Sequence, residues 1–370
     1  MSERLPILYN KKPCYDIVFT KTFDELIPEL KTLGSLETRR VCIVTDSKVD
    51  QLFGDEVQKL LQGNCLKVVK YAFPNGEEHK NLETVKGIYT FLIQEGLDRK
   101  DLLLALGGGV VGDTTGYVAA TYLRGIDFVQ VPTTLLAQTD SSIGGKTGVD
   151  FDGYKNMVGA FKMPKLVYMN LSVLQTLDDR QFFSGFAEVM KHGLIRDALF
   201  YQWLIENMYE ICDRELDVLQ EMLMRSCTVK KLVVEKDPTE QGERALLNFG
   251  HTIGHAIEKY KNFQLYHGEC IALGAVAAAY ISWKREMLSM EEYYEIRDMY
   301  VPFNLPISIE DIDPKEILRL TKSDKKMESG QIKFVLLKKI GKAVLDKSVT
   351  DEEILDAIGE IHFSEEDAHA

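Results

Sequence analysis

Three histidines and one acid carry the first chemical signal. Asn248-Phe-Gly-His251-Thr-Ile-Gly-His255-Ala-Ile-Glu258 sets two histidines one helical turn apart, so both face one side of a helix. His267-Gly-Glu269 follows after a short irregular stretch. An H-x-x-x-H pair with a third histidine soon after is a metal-binding pattern. Upstream, Gly185-Phe-Ala-Glu188-Val-Met-Lys191-His192 places an acid in an otherwise apolar helix, where it has to be paired, ligated or protonated. A salt bridge to Lys191 at i+3 is the alternative to a metal. Spacing does not choose among His192, His251, His255 and His267 as partners for Glu188. Two histidines with one carboxylate leave coordination positions open for substrate, the catalytic arrangement rather than the structural one.

A second signal is Gly107-Gly-Gly-Val-Val-Gly-Asp113, a G-x-G-x-x-G directly after the apolar run Leu102 to Leu106 and before a helical stretch, Thr114 to Tyr122. Glycines let backbone amides approach a pyrophosphate, and the helix N-terminus favours its charge; a tight turn with close helix packing is the bland reading. Asp46, closing the run Val41 to Thr45, is placed either to accept hydrogen bonds from ribose hydroxyls or to cap a helix. Together the two features favour a dinucleotide. Between Gln130 and Lys162, Lys146 and Lys155 are flanked by glycine and small polar residues, which predicts rigid turns that present cations to a phosphate or carboxylate.

These residues need elements to hold them. In the first half, β-rich runs at Arg40–Thr45, Leu66–Ala72, Asp101–Leu106 and Phe128–Val131 alternate with helical stretches such as Asn81–Glu95, predicting a mostly parallel sheet with helices on its faces. After Asp178, helical periodicity dominates, in Phe200–Cys212, Glu215–Glu235 and Cys270–Met287. The expectation is an α/β Rossmann-like domain, 1–175, followed by an all-α metal- and substrate-binding domain, 176–370. At 370 residues two domains are the default.

The net charge of -13 argues against a nucleic-acid binder, while leaving room for a local basic pocket. Cys14, Cys42, Cys65, Cys212, Cys227 and Cys270 form no C-x-x-C pair, which fits buried thiols rather than a disulfide framework. Neither a charged leader with a long apolar run nor a stretch of about 18 apolar residues occurs, so the expected location is the cytoplasm, with no membrane partner.

At this point the chain closely resembles the dehydroquinate synthase family. The resemblance runs through Asn75-Gly-Glu-Glu-His-Lys80, the glycine loop, Arg124-Gly-Ile, Gln130 to Val149, Lys155-Asn-Met-Val-Gly-Ala-Phe161, Gly185 to Lys191, Arg244 to Glu258, His267-Gly-Glu269 and Asp324-Lys-Lys326. Several independent motifs in order make it specific. It implies NAD on the first domain and a divalent metal, zinc ahead of cobalt, held by Glu188, His251 and His267, which moves His255 to the substrate. It implies NAD contacts from Asp46, Asn75, Gly76, Glu77, Glu78, His79, Lys80, Gly109, Val110, Val111, Gly112, Asp113, Thr133, Thr134, Lys146, Lys155, Val173, Leu174, Gln175 and Thr176. Substrate contacts would come from Asp140, Lys146, Lys155, Asn156, Lys191, Lys230, Arg244, Asn248, His255 and Lys326, with Arg124 reaching across a homodimer interface. Two departures are visible: Asn75 stands where the family has Asp, and Asp150 where Asn usually follows Gly-Lys-Thr-Gly-Val.

The implied reaction turns 3-deoxy-arabino-heptulosonate 7-phosphate, a sugar phosphate, into a carbocycle by transient oxidation at C5, phosphate elimination, reduction and aldol closure, so NAD is not consumed. A polyol dehydrogenase of the related iron-dependent alcohol dehydrogenase group would not need Lys146, Lys155, Lys191, Lys230 and Lys326 together. Asn248 and His255 match the dehydroquinate synthase pattern where several sister cyclases differ. A non-catalytic NAD sensor should have lost ligands or cations, and none of the expected ones is missing.

Overall fold

The computed structural model of the chain describes residues 3–240, 242–323 and 333–363. Two compact units divide it: Met1–Leu177 with Leu219–Glu235, and Asp178–Val218 with Lys236–Ala370.

The first unit is built on a sheet of seven strands, β1 (Glu3–Tyr9), β2 (Lys12–Thr20), β3 (Arg40–Asp46), β4 (Lys67–Phe73), β5 (Leu102–Gly107), β6 (Asp127–Pro132) and β9 (Leu166–Asn170), in the order β1-β2-β9-β6-β5-β3-β4. Only β1 runs antiparallel, to β2. The central strand β5, Leu-Leu-Leu-Ala-Leu-Gly, is buried throughout, as a parallel strand covered on both faces must be. Its alternation sorts the core: Leu102, Leu104 and Leu106 pack with Val41, Ile43 and Val129 on one face, and Leu103 and Ala105 with Cys42, Val44 and Phe128 on the other. The strand order reverses between β3 and β5, and ligands of such sheets bind beyond the carboxyl ends at that point. Asp46 ends β3 there, and Gly107 ends β5.

Strands β7 (Lys146–Phe151) and β8 (Tyr154–Phe161) form a separate antiparallel hairpin. Lys146 and Lys155 therefore sit in strands, not in the turns that the neighbouring glycines suggest. Gly144, Gly145 and Gly153 do take positive φ, at 97°, 68° and 77°, just outside the strands, whereas Gly148 and Gly159 serve the pairing: a Cβ on Gly159 would lie 2.4 Å from the Thr147 carbonyl oxygen across the ladder. The helix Leu216–Lys236 gives most of its length to this unit, where the Cys227 thiol faces the Gln138 carbonyl at 3.4 Å and Glu235 accepts the Leu8 amide at 2.7 Å.

The second unit is mainly helical, but it is not all-α. Phe334–Lys339 (β10) pairs with Lys342–Asp346 (β11) around a turn in which Gly341 has φ +79°. The apolar run Phe334-Val-Leu-Leu is too short for a stable helix and is bounded by a Gly turn, so it buries itself as a strand. The unit's central helix, His267–Lys284, is apolar all round from Cys270 to Ser282 and correspondingly buried. No helix among the described residues is long and apolar enough to cross a membrane.

Arg285 fastens the end of that helix to the C-terminal elements. It reaches Glu353 at 2.6 and 2.7 Å and Asp346 at 3.0 Å. The Arg285 hydrogen bonds, outweighing burial, hold the Glu353 carboxyl at about 2, below its ordinary 4.5. A depressed folded-state value stabilises above the ordinary one and is lost as pH falls through the folded one. Arg285→Ala is thus expected to lower the melting temperature at pH 7 by about 2–4 °C, as for a contribution of about 1 kcal/mol. Thermal scans should show the gap closing between pH 4.5 and about 2; a gap that widens in acid would contradict this.

Candidate active site

In the first unit, the helix Gly109–Thr121 starts directly on the glycine loop, five residues ahead of the stretch that periodicity marks, because Gly109, Val110, Val111, Gly112 and Asp113 already form its first turns. Gly108 is its N-cap, with no side chain bonded to the cap. Close packing holds as well: a Cβ on Gly108 would meet Thr134 at 3.0 Å, and one on Gly112 the Gln130 side chain at 2.7 Å. The buried Thr133 hydroxyl, beside the loop through its backbone bond to the Gly107 carbonyl, has no hydrogen-bond partner. An orphan hydroxyl beside an uncapped helix N-terminus suits a pyrophosphate-bearing ligand.

Asp46 caps the short helix after β3, its Oδ1 accepting the Lys48 and Val49 amides at 2.9 and 3.0 Å. The Asn75 amide donates to the Ser47 hydroxyl at 3.1 Å, which joins the Asn75–Lys80 segment to the end of β3. Gly76 has φ +126°, and Glu77, Glu78 and His79 form a single 3₁₀ turn. Lys80 is buried, its ammonium 2.7 Å from Asp113 and 2.6 Å from the Asn156 side-chain oxygen. Burial alone would lower it, but Asp113, Glu77 and Asp150 outweigh that and hold it above the usual lysine range. Lys155 lies 4.0 Å from Glu77, and Lys146 is exposed at the start of β7.

Lys230, buried on its helix, is 2.6 Å from Asp140 Oδ1 and also contacts the Asp140 carbonyl. Thr134 accepts the Ala137 amide at 3.1 Å. Val173 and Leu174 point into the core, so only backbone, Gln175 or Thr176 can meet a ligand there. Arg124 lies exposed with φ +65° beside the equally exposed Leu123.

In the second unit the acid and the histidines come together. Glu188 and Lys191 lie buried on the helix Asp179–Arg196; His251, His255 and Glu258 share the helix His251–Tyr260, and His267 opens the helix His267–Lys284. Glu188 Oε1 is 3.2 Å from His267 Nε2 and 3.5 Å from His251 Nε2. The three ligand atoms of Glu188, His251 and His267 lie within 4.8 Å of one another, and so do those of His255, Glu258 and His267. His192, wholly buried, joins neither group. The salt bridge is formed as well, since Glu188 Oε2 pairs with the Lys191 ammonium.

Two neighbours orient the rings, and neither stands out in the sequence. His251 Nδ1 is 3.0 Å from the Phe249 carbonyl, which leaves Nε2 toward Glu188. The buried Glu258 faces His267 Nδ1 at 3.9 Å; its place one turn after His255 was the available signal. Gly250, in the left-handed region at φ +79°, starts the His251 helix against the next one: a Cβ on Gly274 would sit 1.9 Å from the Gly250 carbonyl oxygen.

The electrostatics follow from burial opposed by charge. Burial would raise the Glu188 carboxyl, but Lys191 and the two histidines hold it well below the carboxylate range. Burial, reinforced by the Lys191 charge, takes His251 down to about 3. For His267 burial is outweighed by Glu188 and Glu258, and the imidazolium persists to about 9. A charged carboxylate with a neutral imidazole and a second that exchanges its proton for a cation is a donor set for a borderline divalent ion such as zinc.

Arg244 is buried, its guanidinium donating to the Pro238 carbonyl at 2.6 Å, and Asn248 donates to Glu240 at 3.4 Å. Lys326 and its Asp324-Lys-Lys326 motif lie outside the described residues.

Residues 70–184 match the family described as 3-dehydroquinate synthase N-terminal, and residues 185–327 the one described as 3-dehydroquinate synthase C-terminal. A curated 3-dehydroquinate synthase of Acetivibrio thermocellus is 46% identical over 318 residues, 86% of this chain and 88% of that one. The chain belongs to the 3-dehydroquinate synthase family. Two solved structures of 3-dehydroquinate synthase-like fold show what related chains hold. A 2-epi-5-epi-valiolone synthase of Streptomyces hygroscopicus, 26% identical with a TM-score of 0.87 over 96% of this chain and 99% of its own, has NAD+ and Zn2+ bound. A 2-deoxy-scyllo-inosose synthase, 25% identical with a TM-score of 0.81 over 97% and 99%, is complexed with carbaglucose-6-phosphate, NAD+ and Co2+. The fold of the family, an α/β unit and a largely helical one, is the one described above.

Proposed function

We propose that this chain is a 3-dehydroquinate synthase, a phosphate lyase of the shikimate pathway that converts 3-deoxy-D-arabino-heptulosonate 7-phosphate into 3-dehydroquinate and inorganic phosphate. The observation that carries this reading is the donor set of a buried Glu188 with half-buried His251 and His267, their ligand atoms within 4.8 Å of one another, in a chain of this family. Zinc, with cobalt as its substitute, suits one carboxylate and two imidazoles and keeps a position open for substrate. The glycine loop, Asp46, the Asn75–Lys80 segment and Thr133 suit NAD. When bound, NAD+ supplies the removal and return of a hydride at C5, and the metal the acidity of the C5 hydroxyl.

The chain's own residues do the rest. Lys155, Asn156, Lys191, His255 and Lys326 bind the phosphate and stabilise it as it departs. Lys230 and Arg244 hold the substrate carboxylate, Arg244 through its bidentate fork, and Asp140 orients Lys230. The working form is a cytoplasmic homodimer in which Arg124 of each copy serves the other copy's site.

The test is a coupled assay on the heptulosonate, with and without NAD+ and chelator. Phosphate and dehydroquinate are expected in equal amounts without net NADH, and only when both cofactors are present. Sustained NADH accumulation would mark a dehydrogenase instead.

A further inference from the structure

The β7–β8 hairpin carries an irregularity at the point where its chemistry-bearing residues sit. Val149 pairs with Val158 and Phe151 with Tyr154, so Asp150 alone opposes Lys155, Asn156 and Met157. Such a bulge throws residues out of the ladder and leaves their amides without a partner strand. Asn156 is accordingly in the left-handed region, at φ +55°, a conformation that asparagine tolerates better than most residues. Its amide is not left alone: Asp150 Oδ1 accepts it at 2.8 Å.

The same residue also reaches the buried lysine. The Asp150 amide donates to the Lys80 carbonyl at 2.8 Å, while the Lys80 ammonium holds the Asn156 side-chain oxygen at 2.6 Å and Asp113 at 2.7 Å. Asp150, Asn156 and Lys80 thus close a ring of hydrogen bonds that ties β7, the bulge in β8 and the segment before the helix Leu82–Gln94. We propose that Asp150 is a positioning residue: its carboxylate caps the bulge and thereby sets the Asn156 side chain, and with it the Lys80 ammonium, for ligand. The carboxylate makes that cap a charge-assisted hydrogen bond, stronger than an amide oxygen gives. Its negative charge adds to that of Asp113 beside Lys80.

The role assigned to Asn156 rests on the proposed function, but the geometry does not. Asp150→Ala removes the acceptor, and Asp150→Asn keeps one. In the full chain, hydrogen–deuterium exchange of the peptide containing residues 154–158 should speed up in Asp150→Ala and stay near wild type in Asp150→Asn. The KM for the heptulosonate should rise about tenfold in Asp150→Ala, the loss of one such bond, and return to within about threefold in Asp150→Asn. Wild-type exchange and KM in Asp150→Ala would overturn the inference. So would Asp150→Asn as impaired as Asp150→Ala, since charge and not the accepted amide would then be the cause. If Asp150→Ala does not fold, Asp150→Ser replaces it, its shorter side chain ending short of the Asn156 amide. Exchange requires no turnover, so it decides the matter even if the wild-type chain releases no phosphate.

Discussion

Glu188→Gln is expected to reduce turnover at least about 100-fold, the upper end of what losses outside the ligand shell cost, and to leave NAD affinity unchanged. Glu188 is the single anion of its donor set, with Oε1 at 3.2 and 3.5 Å from two imidazole nitrogens. An amide keeps the shape and removes the charge. The cation then faces neutral ligands beside the ammonium of Lys191, which has lost its partner. His251→Ala should act similarly by removing a nitrogen. Metal content after dialysis and NAD titration by fluorescence check both. Full metal retention with normal turnover would refute the ligand assignment.

Lys191→Met should lower kcat by about 10²–10³-fold, the scale of losing one preorganised charge aimed at a developing anion. The substitution has a second, independent signature. In the metal-free protein His251 is held at about 3 by burial and then by the Lys191 charge. Without that ammonium its value should climb, and imidazole proton shifts followed through an acid titration would read the change. A kcat loss with His251 unmoved would mean that Lys191 acts from farther away than its pairing with Glu188 indicates.

What could be read in advance depended on whether local pattern or tertiary contact decides. The parallel strands were legible because β5 and its neighbours are continuous apolar runs, and the helix Leu82–Gln94 because Asn81 caps it. β1 was not: Pro6, between the buried Leu5 and Ile7, has no amide to donate and argues against a strand, but an edge strand tolerates it. The glycines around Lys146 and Lys155 suggested turns, and Gly144, Gly145 and Gly153 do make them, but the lysines themselves fall in the paired strands, where Gly148 and Gly159 allow close ladder contacts. Phe200 to Cys212 read as one helix, and the structure breaks it at Asn207 into Ala198–Glu206 and Met208–Cys212. In the site, spacing assembled the candidates around Glu188 but left four histidines open. It took the helix crossing to bring His251 and His267 within reach of one oxygen, and no period in the sequence encodes a crossing. The Phe249 carbonyl behind His251 was invisible for a simpler reason, since every residue has one.

The contact between Gly250 and Gly274 has a consequence for how the proposed site would gain and lose an ion. With a backbone oxygen seated where a side chain would otherwise be, the two histidine-bearing helices are packed backbone to backbone, with little room to slide past one another. The ordering entropy of the site is met during folding and not at the moment of capture. Demetallated protein should therefore crystallise as the same object as the loaded one, and remetallation should proceed at the pace of diffusion and proton release rather than of refolding.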